Sequence, residues 1–401
     1  MMRTVTTMLA AAVVMAGSAQ ALSAQPLQPN TMTAGRETPA QRKIALARER
    51  IARDARSVQG YNDLAMALTQ RARETSSPTF YLEAEEAVRK SLALAPDNFE
   101  ALKVKTWALL GQHRFAEALA VATTLNRQVP DDLMVYGMLT DANIELGRYD
   151  DAEKSAQWML DLRPGNIPAL TRAAYLRELF GDIDGALELM RSAVNRMPFN
   201  ENEDRAWVMT QIAHLELVRH RPEAAEQAAQ AALALFPEYH YALGVLADVR
   251  TAQGRHGEAA DLQARRYAVA THPENLFELA EAEARAGRRA DAATHYAAFE
   301  AGARKEMTLD DNANRELIAY YAGAGNRPKE ALAVAEAEIA KRGDVYTRDA
   351  YAWALYRNGR TAEAKREIAT VLAVGVQHPR IRARRRDLRG TAKPATGDAR
   401  R

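Results

Sequence analysis

Between Leu133 and Asn166 the apolar side chains Met134, Tyr136, Met138, Leu139 and Ile144 mark a helix, although their spacing follows the helical period only loosely. Gly147 breaks the pattern and supplies a tight turn. Asp150 and Asp151 then open a second helix, where carboxylates complement the helix dipole. Pro164 stops that helix, and Gly165 and Asn166 turn the chain. The interval thus holds two helices of roughly 13 residues each, an ordinary globular length.

This unit recurs. Pro96, Pro130, Pro164 and Pro198 follow one another at 34 residues, and Pro237 comes after 39. Twelve residues before each stands an alanine, at Ala84, Ala118, Ala152, Ala186 and Ala225. The alanine ladder continues through Ala259, Ala292, Ala331 and Ala364 without its prolines. The rungs number nine, and the two gaps of 39 residues predict longer loops near 199–205 and 301–312. An alanine at this place lets two helix axes approach to about 8–10 Å, where a leucine would force them apart.

The segments GRYDDAEKSAQWMLDLRPGN, RFAEALAVATTLNRQVPDD and NGRTAEAKREIATVLAVG resemble the tetratricopeptide repeat family, and the likeness runs from about Tyr61 to His378. The stretches YNDLAMALTQRARETSSPTFYLEAEEAVRKSLALAPDN and DVYTRDAYAWALYRNGR look like a bacterial envelope subset of that family. The resemblance implies an all-α, right-handed superhelical solenoid of about nine antiparallel helix pairs, spanning residues 59–378. Departures from the pattern are an added stretch around Arg73–Thr79 and the lost prolines of the later units. A lone hairpin cannot bury its apolar face, so such units stack and their ends need caps. Residues 38–58 read as an N-terminal capping helix, opened by Thr38 and Pro39, with Ile44, Ile51, Ala55 and Val58 turned inward.

The two ends differ in character. Residues 1–21 have the order of a secretory signal: Arg3, an apolar run from Met8 to Ala16, then small residues at Ala19 and Ala21. Cleavage is expected between Ala21 and Leu22, with Ala24 as second choice, which leaves a polar, flexible leader at 22–37. The apolar run is too short to span a bilayer, so no membrane span remains after signal removal. The location expected is therefore periplasmic or secreted. At the other end, residues 379–401 carry nine basic residues against Asp387 and Asp398. We expect a solvated, disordered basic tail there; a grip on an anionic surface and a frame-altered repeat are the other two readings.

Chemistry is scarce. The chain has no cysteine, which removes disulfides and thiolate sites, and its formal net charge of +2 gives no field that points to nucleic acid. Zinc-helix, phosphate-loop and nucleophile-elbow motifs are missing, and no His pair has helical ligand spacing. We expect no catalytic residue, no cofactor and no metal. In the resembled family the first helix of each unit lines a concave groove. Eleven residues before the rungs stand Trp107, Asp141, Tyr175, His214, Asp248, Glu281, Tyr320 and Trp353, with Lys103 and Tyr356 one helical turn away. Aromatics there suit recognition of a protein or peptide partner. The function expected is a non-catalytic envelope adaptor. Alternatives are an assembly factor for exopolysaccharide or secretion machinery and a solenoid cell-wall enzyme of lytic transglycosylase type, for which no separate catalytic region is visible.

Overall fold

In the computed structural model, which describes residues 37–309 and 311–389, helices follow one another from end to end, and no strand occurs among the described residues. Helix α1 (Pro39–Arg53) precedes nine hairpins. These are α2–α3 (58–94), α4–α5 (99–128), α6–α7 (133–162), α8–α9 (167–196), α10–α11 (202–235), α12–α13 (240–269), α14–α15 (273–306), α16–α17 (314–339) and α18–α19 (345–374). Helix α20 (Pro379–Arg389) closes the series. Each helix packs on the next and each hairpin on its neighbour, which is the stacked arrangement of a solenoid.

All nine rung alanines are buried, each on the second helix of its hairpin. The loose periodicity of the first helices now has a cause. Helix α6 lies between neighbouring hairpins and buries Val135, Gly137, Met138, Leu139, Thr140, Ala142, Asn143 and Ile144, so little of its circumference faces water. Its partner α7 buries only Ala152, Ala156 and Met159 and keeps a wet outer face.

Local chemistry fixes the hairpins. Asn98, Asp132 and Asn166 each N-cap a first helix, accepting the amide of the residue three positions on at 2.7, 3.0 and 3.0 Å. Inside the hairpins a residue with positive φ stands five positions before the rung. It is glycine at Gly147, Gly181, Gly254, Gly287 and Gly359, histidine at His113 and His220, and asparagine at Asn326.

Several expectations need correction. The longer repeats are only partly loops: the linker 307–313 is longer than the 129–132 of an ordinary unit, but α10 opens at Asn202 and α15 runs on to Glu306, so helix formers such as Ala301, Arg304 and Lys305 take up much of the added length. The N-terminal helix ends at Arg53, because Asp54 is extended and Ser57 caps α2. Its buried residues are Ala40, Ile44 and Ala47; Ile51 is half-buried, Ala55 exposed, and Val58 belongs to α2. Residues 379–389 form α20 where a disordered tail was expected. Ile381 supplies the anchor, buried among Val376, Ile368 and Leu355, while Arg384 pairs with Asp349 and lies 5.4 Å over the Trp353 ring. The signal, its cleavage site Ala21–Leu22, the leader up to Arg36 and residues 390–401 lie outside the described residues.

The superhelix is tight enough for distant units to touch. The turn of the second unit meets the loop after the seventh, where His113 Nδ1 lies 3.6 Å from Asp311. The third unit meets the loop after the eighth: Gly343 donates its amide to the Glu145 carbonyl at 3.1 Å, Arg342 pairs with the Glu145 carboxylate, and Val345 donates to the Tyr149 hydroxyl at 2.9 Å. The fourth meets the segment after the ninth, where Gln377 donates to the Gly181 carbonyl at 2.8 Å. A further contact runs from the long α2, whose Arg73 pairs with Glu203 and, at 2.7 Å, with Asp204.

Candidate functional site

Two cavities open on the inner face of the superhelix. The first, about 690 Å³, is walled by α4, α6, α8 and α10. It brings together three residues singled out from sequence: Trp107, Asp141 and Tyr175. Around them stand Trp207, Met190, Met197, Ile167, Pro168 and Pro198, which make the wall largely apolar. Asp141 is not a free carboxylate, because Arg172 holds both its oxygens at 2.9 and 2.6 Å while also donating to the Gly137 carbonyl. The Arg73–Asp204 pair sits on the opposite rim. Phe199, 88% exposed, stands beside Pro198 at this wall, under the Arg205 guanidinium at 5.1 Å.

Burial raises the Tyr175 phenol well above its ordinary value, so it remains a neutral donor and aromatic surface at any physiological pH. The cavity therefore offers flat aromatic faces, with the Arg172–Asp141 and Arg73–Asp204 pairs and Glu201 among its lining. Trp207, Met197 and Pro198 were missed from sequence, since Pro198 was read only as a helix stop. The indole of Trp207, on the first helix of its hairpin, was the available signal.

The second cavity, about 840 Å³, has a different lining. His214 and Asp248 face it, with Arg266, Glu274, Arg315, Tyr346 and Arg384. His214 Nε2 lies 2.9 Å from Glu178. Burial pulls this imidazole down, but the hydrogen bond and charge of Glu178, with Asp248, outweigh it and the net shift is upward. Arg266 is 3.8 Å from Glu274, and Arg384 pairs with Asp349, so cations and anions here answer one another.

The remaining candidates line neither cavity. Lys103 is buried and bridges Glu100 and Asp132, both at 2.9 Å, so it ties α4 to the cap of α6. Glu281 accepts from the Tyr296 hydroxyl and from Arg285. Tyr320 stacks at 5.0 Å on Tyr296 of the preceding hairpin. Its displacement has a countable cause. In seven hairpins the amide after the left-handed residue bonds a carbonyl five positions back, as Arg148 does to Asn143 at 2.8 Å; in the eighth, Arg327 reaches six back to Tyr321 at 2.7 Å. One extra residue in the Gly323–Asn326 turn thus shifts α16, and Ala319 takes the groove position. Trp353 packs between Arg384 and Tyr356, the latter 5.4 Å away, under α20.

Among the described residues no cluster of His, Asp or Glu side chains is arranged to hold a metal ion, and no helix is long and apolar enough to cross a membrane. A tetratricopeptide repeat family model matches residues 210–275, from within the fifth hairpin to the start of the seventh. No curated protein matches the sequence. Among solved structures, a human IFIT1 dimer carrying m7Gppp-AAAA is similar with a TM-score of 0.53 at 14% identity, over 79% of this chain and 71% of that one. The Cut9–Hcn1 hetero-tetramer of APC/C gives 0.49 at 11% identity over 81% of this chain, which spans 55% of the length of its counterpart. A tetratricopeptide repeat protein from Parabacteroides merdae gives 0.43 at 16% identity, over 59% and 93%. At these identities the likeness is one of fold. Repeat length, the left-handed turn in fixed register before eight of the nine buried alanines and the match over residues 210–275 converge on a solenoid of tetratricopeptide-like repeats.

Proposed function

We propose that this protein is a non-catalytic adaptor of the cell envelope that holds a short segment of a partner protein in the first cavity. The observation that carries the reading is the wall built by Trp107, Tyr175 and Trp207 from the first helices α4, α8 and α10. Large aromatic faces bury area at little rotamer cost, and one or two big apolar side chains of a partner would fill such a volume. The charged edge of Arg73, Asp141, Arg172 and Asp204 would then orient the partner backbone rather than supply the affinity. The envelope location rests on the secretory order of residues 1–21.

The test is a crosslinking capture from envelope extract with the chain starting at Leu22. A discrete protein recovered by the native chain and lost with Trp107→Ala supports the reading. Equal recovery by both chains overturns the site assignment.

A further inference from the structure

We infer that the outer face of α20 is a docking surface for an anionic phospholipid bilayer. Six of its eleven residues are arginine, and only Asp387 opposes them. The helix is not free to turn. Ile381 is 1% exposed and Arg384 is engaged with Asp349 and Trp353, so positions 381 and 384 lie on the face that meets the solenoid. Positions 382 and 386, one helical turn apart, then fall on the opposite face, and both are arginine. Arg382 and Arg386 are exposed, with Arg382 also donating to Gln377 at 2.8 Å.

The chemistry of this face selects its partner. The apolar side of α20 is spent on docking to the solenoid, so the helix has nothing to insert into hydrocarbon and binds by charge alone. A short row of guanidinium groups matches phosphates spread over a plane, each basic group adding attraction at an anionic surface. No aromatic residue lies in the helix to stack on a nucleic-acid base.

Cosedimentation of the chain starting at Leu22, which keeps every described residue, tests the inference. The probes are vesicles with roughly 30% phosphatidylglycerol in phosphatidylcholine, and vesicles of phosphatidylcholine alone. Binding to the anionic vesicles only is expected, weakening steeply between about 50 and 200 mM salt. Arg382→Gln with Arg386→Gln should weaken it by roughly tenfold or more with an unchanged thermal melt. Equal binding to neutral vesicles or an unaltered double variant would each overturn the inference. The readout needs no partner protein, so it fails or stands apart from the cavity reading.

Discussion

Gly147 stands against Gly343 across the seam of the superhelix: a Cβ built on Gly147 would lie 2.4 Å from the Gly343 carbonyl oxygen. The residue has φ of +72°, as its equivalents in the other hairpins have similar values, but only some of those turns touch a distant unit. At Gly254, φ +74°, an added Cβ would meet nothing within 4 Å.

A paired substitution separates the two costs. Gly254→Ala should cost only the backbone strain of a left-handed alanine, about 1 kcal/mol. Gly147→Ala adds a backbone collision and should cost about 2 kcal/mol more, with an increased radius of gyration by small-angle scattering. Equal melting curves for the two variants would mean that the seam does not hold in solution.

The cavity makes a second contrast. Trp107→Ala and Trp207→Ala should each weaken partner capture by about tenfold or more, in line with the loss of a buried aromatic anchor. Trp353→Ala should leave capture unchanged, because its indole is covered by Arg384 and Tyr356. Titration of captured partner against the three variants decides it.

Acid should loosen the contact between α2 and α12. His240 is 1% exposed, and its Nε2 meets the Arg73 carbonyl at 3.0 Å. Burial, with Arg266 nearby, pulls its pKa down to about 4 despite that hydrogen bond. The unfolded imidazole titrates near 6.5, so between those values the unfolded state takes up the proton first. Stability is full above about pH 6.5 and falls as pH drops towards 4, by on the order of 3 kcal/mol. His240→Gln keeps a donor and should flatten that part of the denaturation profile; an unchanged acid slope would exclude His240 as its source. The upward shift of His214 has the opposite sign, its contribution fading as pH rises past its folded value.

Enlarging a rung should be uniformly costly. Ala152→Leu and Ala225→Leu place three extra carbons where each alanine is fully buried, and each should cost about 1–3 kcal/mol by chemical denaturation. A neutral effect at either would remove the close-approach explanation of the ladder.

These residues also explain what could be read in advance. The rungs were legible because close helix approach demands a small residue once per unit, a constraint that repeats with the backbone. Trp107, Asp141 and Tyr175 fell into one cavity because their three units have the same length and turn. Tyr320 did not, because a single added turn residue rotates α16 by one position, and counting across Gly323–Asn326 does not reveal it. Trp353 was placed in register, yet α20 covers it, and a run of arginines gave no sign of packing through Ile381. The seams left no trace at all, since a contact between Glu145 and Arg342, 197 residues apart, follows no local period.

That last feature alters how the molecule should fold. In an open array of hairpins nearly all contacts are between neighbours, so assembly spreads from any starting point and units can fray one at a time. Contacts that join residues 130 to 197 positions apart carry a loop-closure penalty that only a nearly complete array can offset. Formation of the seams is then a late, slow event, and losing the chain from the loop after the eighth hairpin onward would release the third and fourth units. A repeat protein bound to itself in this way gives up the modularity of its units in exchange for a single cooperative transition.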